Sequence, residues 1–131
     1  MGQKETEGAM RFSHSLKENS VFRRLYAKGK SAASSYLVVY CRKNGRPENR
    51  IGITVSKKLG HAVVRNRVRR RFREIYRLHE EEFGIGWDLV IVARTRAVGA
   101  PYAKLDRSFL TLCQKLNLLS EKGDHPEDTA P

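Results

Sequence analysis

Carboxylates are the scarce charge in this chain: 14 Asp and Glu stand against 26 Lys and Arg, which leaves a formal charge of +12 over 131 residues. An imbalance of that size expects a polyanionic partner. Other scarcities narrow the class. Only two cysteines occur, Cys41 and Cys113, far apart and each among apolar neighbours. That pattern predicts buried free thiols rather than a disulfide framework or a metal site. No apolar run approaches the ~18 residues of a membrane span. The start of the chain, GQKETEGAM, lacks the apolar stretch of a secretory signal, so a cytoplasmic location follows by elimination. The few acids form no pair with metal-ligand spacing, and His14, His61, His79 and His125 form no i,i+3 or i,i+4 pair. No Ser or Cys has the surroundings of a nucleophile. The expected catalytic and metal-ligating sets are therefore both empty.

What the chain has in excess is arginine, concentrated in one place. The stretch SKKLGHAVVRNRVRRRFREIYR, residues 56–77, carries Lys57, Lys58, Arg65, Arg67, Arg69, Arg70, Arg71 and Arg73 before its first carboxylate, Glu74. At about 100° per residue, Val64, Val68, Phe72, Ile75 and His79 fall on one stripe with Tyr76 at its edge, which predicts an amphipathic helix docked on a core. Asn66, Arg70, Arg73 and Arg77 line one exposed flank, Arg67 and Arg71 the other. Helices are stabilised by acids in the first turn and bases in the last; here the arginines come first and Glu80, Glu81 and Glu82 last. Arg65, Arg69 and Arg73 also repel one another at i,i+4 spacing. A merely solvated basic face gains nothing from this arrangement, whereas a phosphate ligand at the helix N-terminus does.

In chain order, residues 1–10 and 120–131 are polar, lack periodicity and are expected to be disordered, leaving one domain over residues 11–119. Residues 20–28 predict a helix with an aliphatic stripe, Val21/Leu25, beside an aromatic one, Phe22/Tyr26; the sequence leaves core packing and an exposed stacking role equally open for the aromatics. Residues 35–42 alternate as a strand, with Leu37, Val39 and Cys41 on one face and Tyr36, Val38 and Tyr40 on the other. The Asn-Gly and Pro signals in residues 43–49 predict a turn that makes the next strand, residues 50–56, an antiparallel partner. That strand places Gly52, Thr54 and Ser56 opposite Ile51, Ile53 and Val55. A face of Tyr, Thr, Ser and Gly offers a shallow floor for a flexible nucleic-acid strand. Residues 87–95 are apolar on both faces, as an interior strand is. Pro101 sits near the start of a last helix whose stripe runs Leu105, Phe109, Leu112, Leu116, Leu119. The order of elements describes an α+β sandwich with helices on one side of the sheet.

The segment SKKLGHAVVRNRVRRRFRE resembles the Arg-Asn-Arg signature of the bacterial ribonuclease P protein subunit, and NSVFRRLYAKGK, YLVVYCR, GITVSKK and DLVIVAR follow in that family's order over roughly Phe12 to Leu119. The resemblance implies a two-layer α/β sandwich: a mostly antiparallel sheet of about four strands, three helices and a left-handed βαβ crossover, as in the second domain of a small-subunit ribosomal protein. It also implies a short strand just before Tyr36, where KSAAS has weak strand propensity. As function it implies an accessory subunit of an endoribonuclease. The catalytic RNA and its Mg²⁺ ions cleave precursor tRNA, and the protein binds that RNA and the 5′ leader. Carried over, the RNA-facing set is Arg65, Asn66 and Arg67 with Lys57, Lys58, Arg69, Arg70 and Arg73. The leader-binding cleft maps to Phe22, Tyr26 and Tyr40, with Tyr36 and Val38 as neighbours. The partners implied are the ribonuclease P RNA and precursor tRNA, with neither DNA nor membrane. Three rival readings of the basic helix remain: another RNA-binding protein such as a ribosome component, a major-groove DNA helix, and a membrane-surface helix. The absence of heptads after the helix and the need of its apolar stripe for the core weigh against the last two.

Overall fold

A computed structural model describes residues 13–16 and 19–119; the segments 1–10 and 120–131, expected to be disordered, lie outside the described residues. Five strands form one sheet: β1 (Ser13–Ser15), β2 (Lys30–Ala33), β3 (Leu37–Lys43), β4 (Asn49–Thr54) and β5 (Trp87–Ala93). Three helices complete the fold, α1 (Asn19–Lys28), α2 (Ala62–His79) and α3 (Tyr102–Lys115). The spatial strand order is β1-β4-β5-β3-β2. β2 and β5 each pair antiparallel with β3, while β1 and β5 each pair parallel with β4. α2 makes the βαβ crossover between the parallel neighbours β4 and β5.

The expected hairpin of β3 with β4 does not form. β5 lies between them, with Val90 opposite both Tyr40 and Gly52. Two strand spacings of roughly 4.8 Å then separate β3 from β4, a gap the five-residue loop after Lys43 bridges easily. β5 takes the centre because it alone is apolar on both faces, and Leu89, Val90 and Ile91 are all 0% exposed. β2 forms despite its weak propensity, closing the β3 edge from Lys30↔Cys41 to Ala33↔Val38.

Most of the core lies on one sheet face. Leu37, Val39, Cys41, Ile51, Leu89 and Ile91 meet Val68, Phe72, Ile75 and Tyr76 of α2 and Leu105, Phe109, Leu112 and Cys113 of α3. α3 ends as Asn117 turns to φ 59° and the Leu118 amide returns to the Cys113 carbonyl at 3.0 Å. That turn shifts the apolar phase, so Leu118 rather than Leu119 is fully buried. Contrary to the expectation of helices on one side only, α1 packs on the opposite face. Leu16, Val21 and Leu25 cover Val90 there, with Phe22, Tyr40 and Val92 at the margin.

A buried polar chain ties β1 and β4 to α2. Asn49 is 0% exposed. Its Oδ1 accepts from the amides of Gly86 and Trp87, both at 2.8 Å, and its Nδ2 donates to the Gly84 carbonyl at 3.0 Å. The Ser13 hydroxyl lies 2.7 Å from the Tyr76 hydroxyl and donates to Glu80 Oε2 at 2.7 Å.

Candidate nucleic-acid interface

The basic helix is built as its stripe predicts. Val68, Phe72, Ile75 and Tyr76 are buried, and the guanidinium-bearing flanks face outward. Burial pushes the Tyr76 hydroxyl above its ordinary range despite the hydrogen bonds from Ser13 and Asn49. α2 opens at His61, which has an extended backbone and no side-chain cap, and its first turn contains no acid. The uncapped amides and the neighbouring arginines thus share one end of the helix, the arrangement that seats anions.

The structure sorts the arginines by what they already hold. Arg65 Nε donates to the Gly60 carbonyl at 3.1 Å and Arg71 Nη1 to the Ala100 carbonyl at 3.0 Å. Arg69 Nη1 bonds Asn66 Oδ1 at 2.9 Å, and Arg77 makes a forked pair with Glu74 at 3.2 and 2.7 Å. That pairing holds the Glu74 carboxyl below its ordinary range. Arg67, Arg70 and Arg73 are exposed and have no acidic partner among the described residues. Lys57 and Lys58 are exposed on a short 3-10 turn, Lys57–Leu59, which leads from β4 toward the same helix end.

The aromatic surface is on the other side of the sheet. α1 lies across the strands like a bar, with Phe22 over Gly52 of β4 and Tyr26 against Tyr40 of β3. The Tyr26 and Tyr40 rings meet edge to face at 4.8 Å, and Tyr26 is 42% exposed. Glycine at position 52 leaves room for the ring: a Cβ there would stand 2.7 and 2.9 Å from two carbons of Phe22. Phe22 is half-buried and Tyr26 exposed, so each ring packs on the sheet and still shows an edge to solvent.

Tyr36 does not join this group, which corrects its grouping with Phe22, Tyr26 and Tyr40. Strand alternation put it beside Tyr40, but the chain bends before β3, where the Ser34 hydroxyl accepts from the amides of Tyr36 and Leu37 at 3.1 and 3.3 Å. Tyr36 packs instead against the main core and lines a groove beside α3.

The two surfaces meet at an edge. Between Leu16, Phe22, β4 and α2 runs an open groove of about 300 Å³, rimmed by Arg69 and Arg73. The sequence places these arginines on the basic helix and Phe22 on the aromatic stripe of the first helix, with nothing to bring them together. Periodicity along each element carries no signal of that junction. Among the described residues no three of His, Cys, Asp and Glu gather closely enough to hold a metal ion, and no helix is long and apolar enough to cross a membrane.

Fold and surfaces together define a small α+β domain with phosphate-seeking arginines and exposed aromatics on adjoining faces, the equipment of an RNA-binding protein. The family model described as Ribonuclease P matches residues 10–117. The ribonuclease P protein component of Alkaliphilus oremlandii is 41% identical over 111 residues, covering 85% of this chain and 97% of that one. That of Clostridioides difficile is 43% identical over 104 residues, covering 79% and 91%. The solved RNase P protein of Staphylococcus aureus aligns with a TM-score of 0.74 at 33% identity, covering 80% of this chain and 96% of that one. That of Thermotoga maritima aligns with a TM-score of 0.68 at 31% identity, covering 74% and 92%. The chain belongs to the bacterial ribonuclease P protein family. It is accordingly a component of ribonuclease P, an endoribonuclease of tRNA processing, and its membership implies association with the ribonuclease P RNA.

Proposed function

We propose that the chain docks on the catalytic RNA through the N-terminal half of α2 and the Lys57/Lys58 turn, while the cleft beside α1 holds the single-stranded 5′ leader of precursor tRNA. The observation that carries this reading is the groove in which Phe22 meets Arg69 and Arg73. A strand lying there has a ring to stack on and guanidinium groups for its phosphates, each stack contributing about 1–3 kcal/mol. In this reading the RNA, with the Mg²⁺ ions it holds, performs the cleavage. The protein raises the affinity for substrate and ions and supplies no catalytic side chain.

The test is cleavage of a 5′-extended precursor tRNA at low Mg²⁺ by the protein alone, by a bacterial ribonuclease P RNA alone, and by both. Cleavage at the mature 5′ end only with both present supports the reading; no gain from adding the protein refutes it. Tyr40→Ala should weaken the binding of leader-bearing tRNA about tenfold and leave mature tRNA unaffected. Equal losses for both would remove the leader from this cleft.

A further inference from the structure

The bar formed by α1 has a second side. Toward one end of the sheet the face beneath it passes from Tyr40, Val90 and Gly52 to the next in-facing row, Arg42, Asp88 and Arg50. With Val21, Arg24 and Leu25 of α1 above and Lys43 and Arg46 beside it, this row encloses a pocket of about 270 Å³. Five cations line it against one carboxylate. Asp88 is already committed: Arg50 grips it with Nε and Nη2, both at 2.8 Å, and Asn44 Nδ2 donates to it at 2.9 Å. The guanidinium groups of Arg24, Arg42 and Arg46 have no acidic partner among the described residues.

The pocket is held in shape. Asn44 Nδ2 also donates to the Glu48 carbonyl at 3.2 Å, and its Oδ1 accepts the Arg46 amide at 2.7 Å. The Asn44 amide donates to the Gly86 carbonyl at 2.8 Å. The loop that does not form the expected hairpin turn is therefore fastened to the start of β5, with the Arg46 backbone held beside the pocket. Unpaired like charges gathered in one preformed pocket are destabilising unless an anion enters.

We propose that this pocket is a second phosphate seat, which takes a backbone phosphate of the single-stranded leader after it has passed the aromatic side of α1. The proposal rests on the leader reading above. The leader is the favoured occupant because the pocket shares the sheet face of Phe22, Tyr26 and Tyr40, whereas α2 is packed on the opposite face. Arginine suits the task through its forked contact to phosphate oxygens.

The experiment uses the assembled holoenzyme and precursor tRNAs whose leaders increase one nucleotide at a time, with mature tRNA as the reference. The variant Arg42→Gln with Arg46→Gln should bind short-leader substrates normally and lose about three- to tenfold in affinity once the leader is long enough to reach the pocket. Arg42→Lys with Arg46→Lys should recover part of the loss, and the free Arg42→Gln with Arg46→Gln variant should melt at or slightly above the parent's temperature, since two repelling charges are gone. No loss at any leader length, while Tyr40→Ala still discriminates against leaders, overturns the pocket alone. No effect from either variant overturns the leader reading together with it. An equal loss for mature tRNA assigns the pocket to other RNA and also overturns the proposal.

Discussion

Gly52→Ala is the sharpest test of how the aromatic cleft is built, because it adds one methyl group at a point where the structure has no room. The new Cβ would lie 2.7 and 2.9 Å from the Phe22 ring and 3.2 Å from the Leu16 carbonyl oxygen. The backbone of Leu16 can give only slightly, since its amide is bonded to the Ile51 carbonyl at 2.8 Å. The ring must therefore move, and it can, being the free end of a half-buried side chain. That places the cost in the lower part of the range for overpacking, about 1–2 kcal/mol, or a fall of roughly 4–8 °C in Tm. Under the proposed leader reading, affinity should fall as well, because Phe22 lines the groove and its displacement reshapes it. A double-mutant cycle isolates the cause. In a Phe22→Ala background the ring contacts are gone and only the 3.2 Å approach to the Leu16 carbonyl oxygen remains, so Gly52→Ala should cost much less and the two changes should couple by about 1 kcal/mol. Additivity within about 0.5 kcal/mol in thermal or urea unfolding would refute the contact as the reason for glycine here.

Arg67→Ala with Arg70→Ala removes two exposed guanidinium groups that have no acidic partner among the described residues, so the slope of log K against log salt for binding the catalytic RNA should flatten by about 1–2; an unchanged slope would take α2 out of that interface. Asn49→Ala leaves two amides and a carbonyl without their partner, and should cost about 2–4 kcal/mol in urea unfolding. Burial alone would lower the pKa of His79, but contacts to Glu82 at 3.0 Å and Asp106 at 2.8 Å more than reverse this, so its folded value lies above 6.5. Its stabilisation is fully present below pH 6.5 and is lost as the pH rises through the raised folded value. Asp106→Asn should flatten the pH dependence of Tm in that window. Cys41, with its thiol pushed by burial to about 11, should react with iodoacetamide at pH 8 only on unfolding.

Periodicity within single elements was enough to read the helices: Val68, Phe72 and Ile75 are buried where a 100° stripe puts them, and Val21 and Leu25 likewise. The two-faced apolarity of residues 87–93 also marked β5 as interior. Relations between elements were not legible in the same way. The Asn-Gly loop was a true bend, but a local turn signal does not say which strand lies alongside. β5, which begins at Trp87, about 40 residues further on, decided that by needing partners on both edges. Tyr36 was misplaced by one bend, because strand alternation holds only inside the ladder and the Ser34 hydroxyl ends it one residue earlier. The cationic pocket beside α1 draws on three separate segments, so no single stretch announced it, whereas residues 56–77 carry the basic helix in one run. The family resemblance supplied a role for that helix, which stands as a proposal; what the matched family and relatives show is the family itself.

The central position of β5 also sets an order of events during synthesis. Until residue 93 has left the ribosome, β3 has only the four residues of β2 beside it and β4 only the three residues of β1. The arginine-rich helix that links them has no finished sheet to dock on, and its charges repel one another meanwhile. Closing the sheet then requires pairing across separations of about 40 to 55 residues in a single late step, the kind of long-range contact that slows folding. A nascent chain in that condition holds exposed cations and unpaired strand edges side by side. An RNA that engages the cations before β5 arrives would act on the folding of the subunit as well as on its assembly.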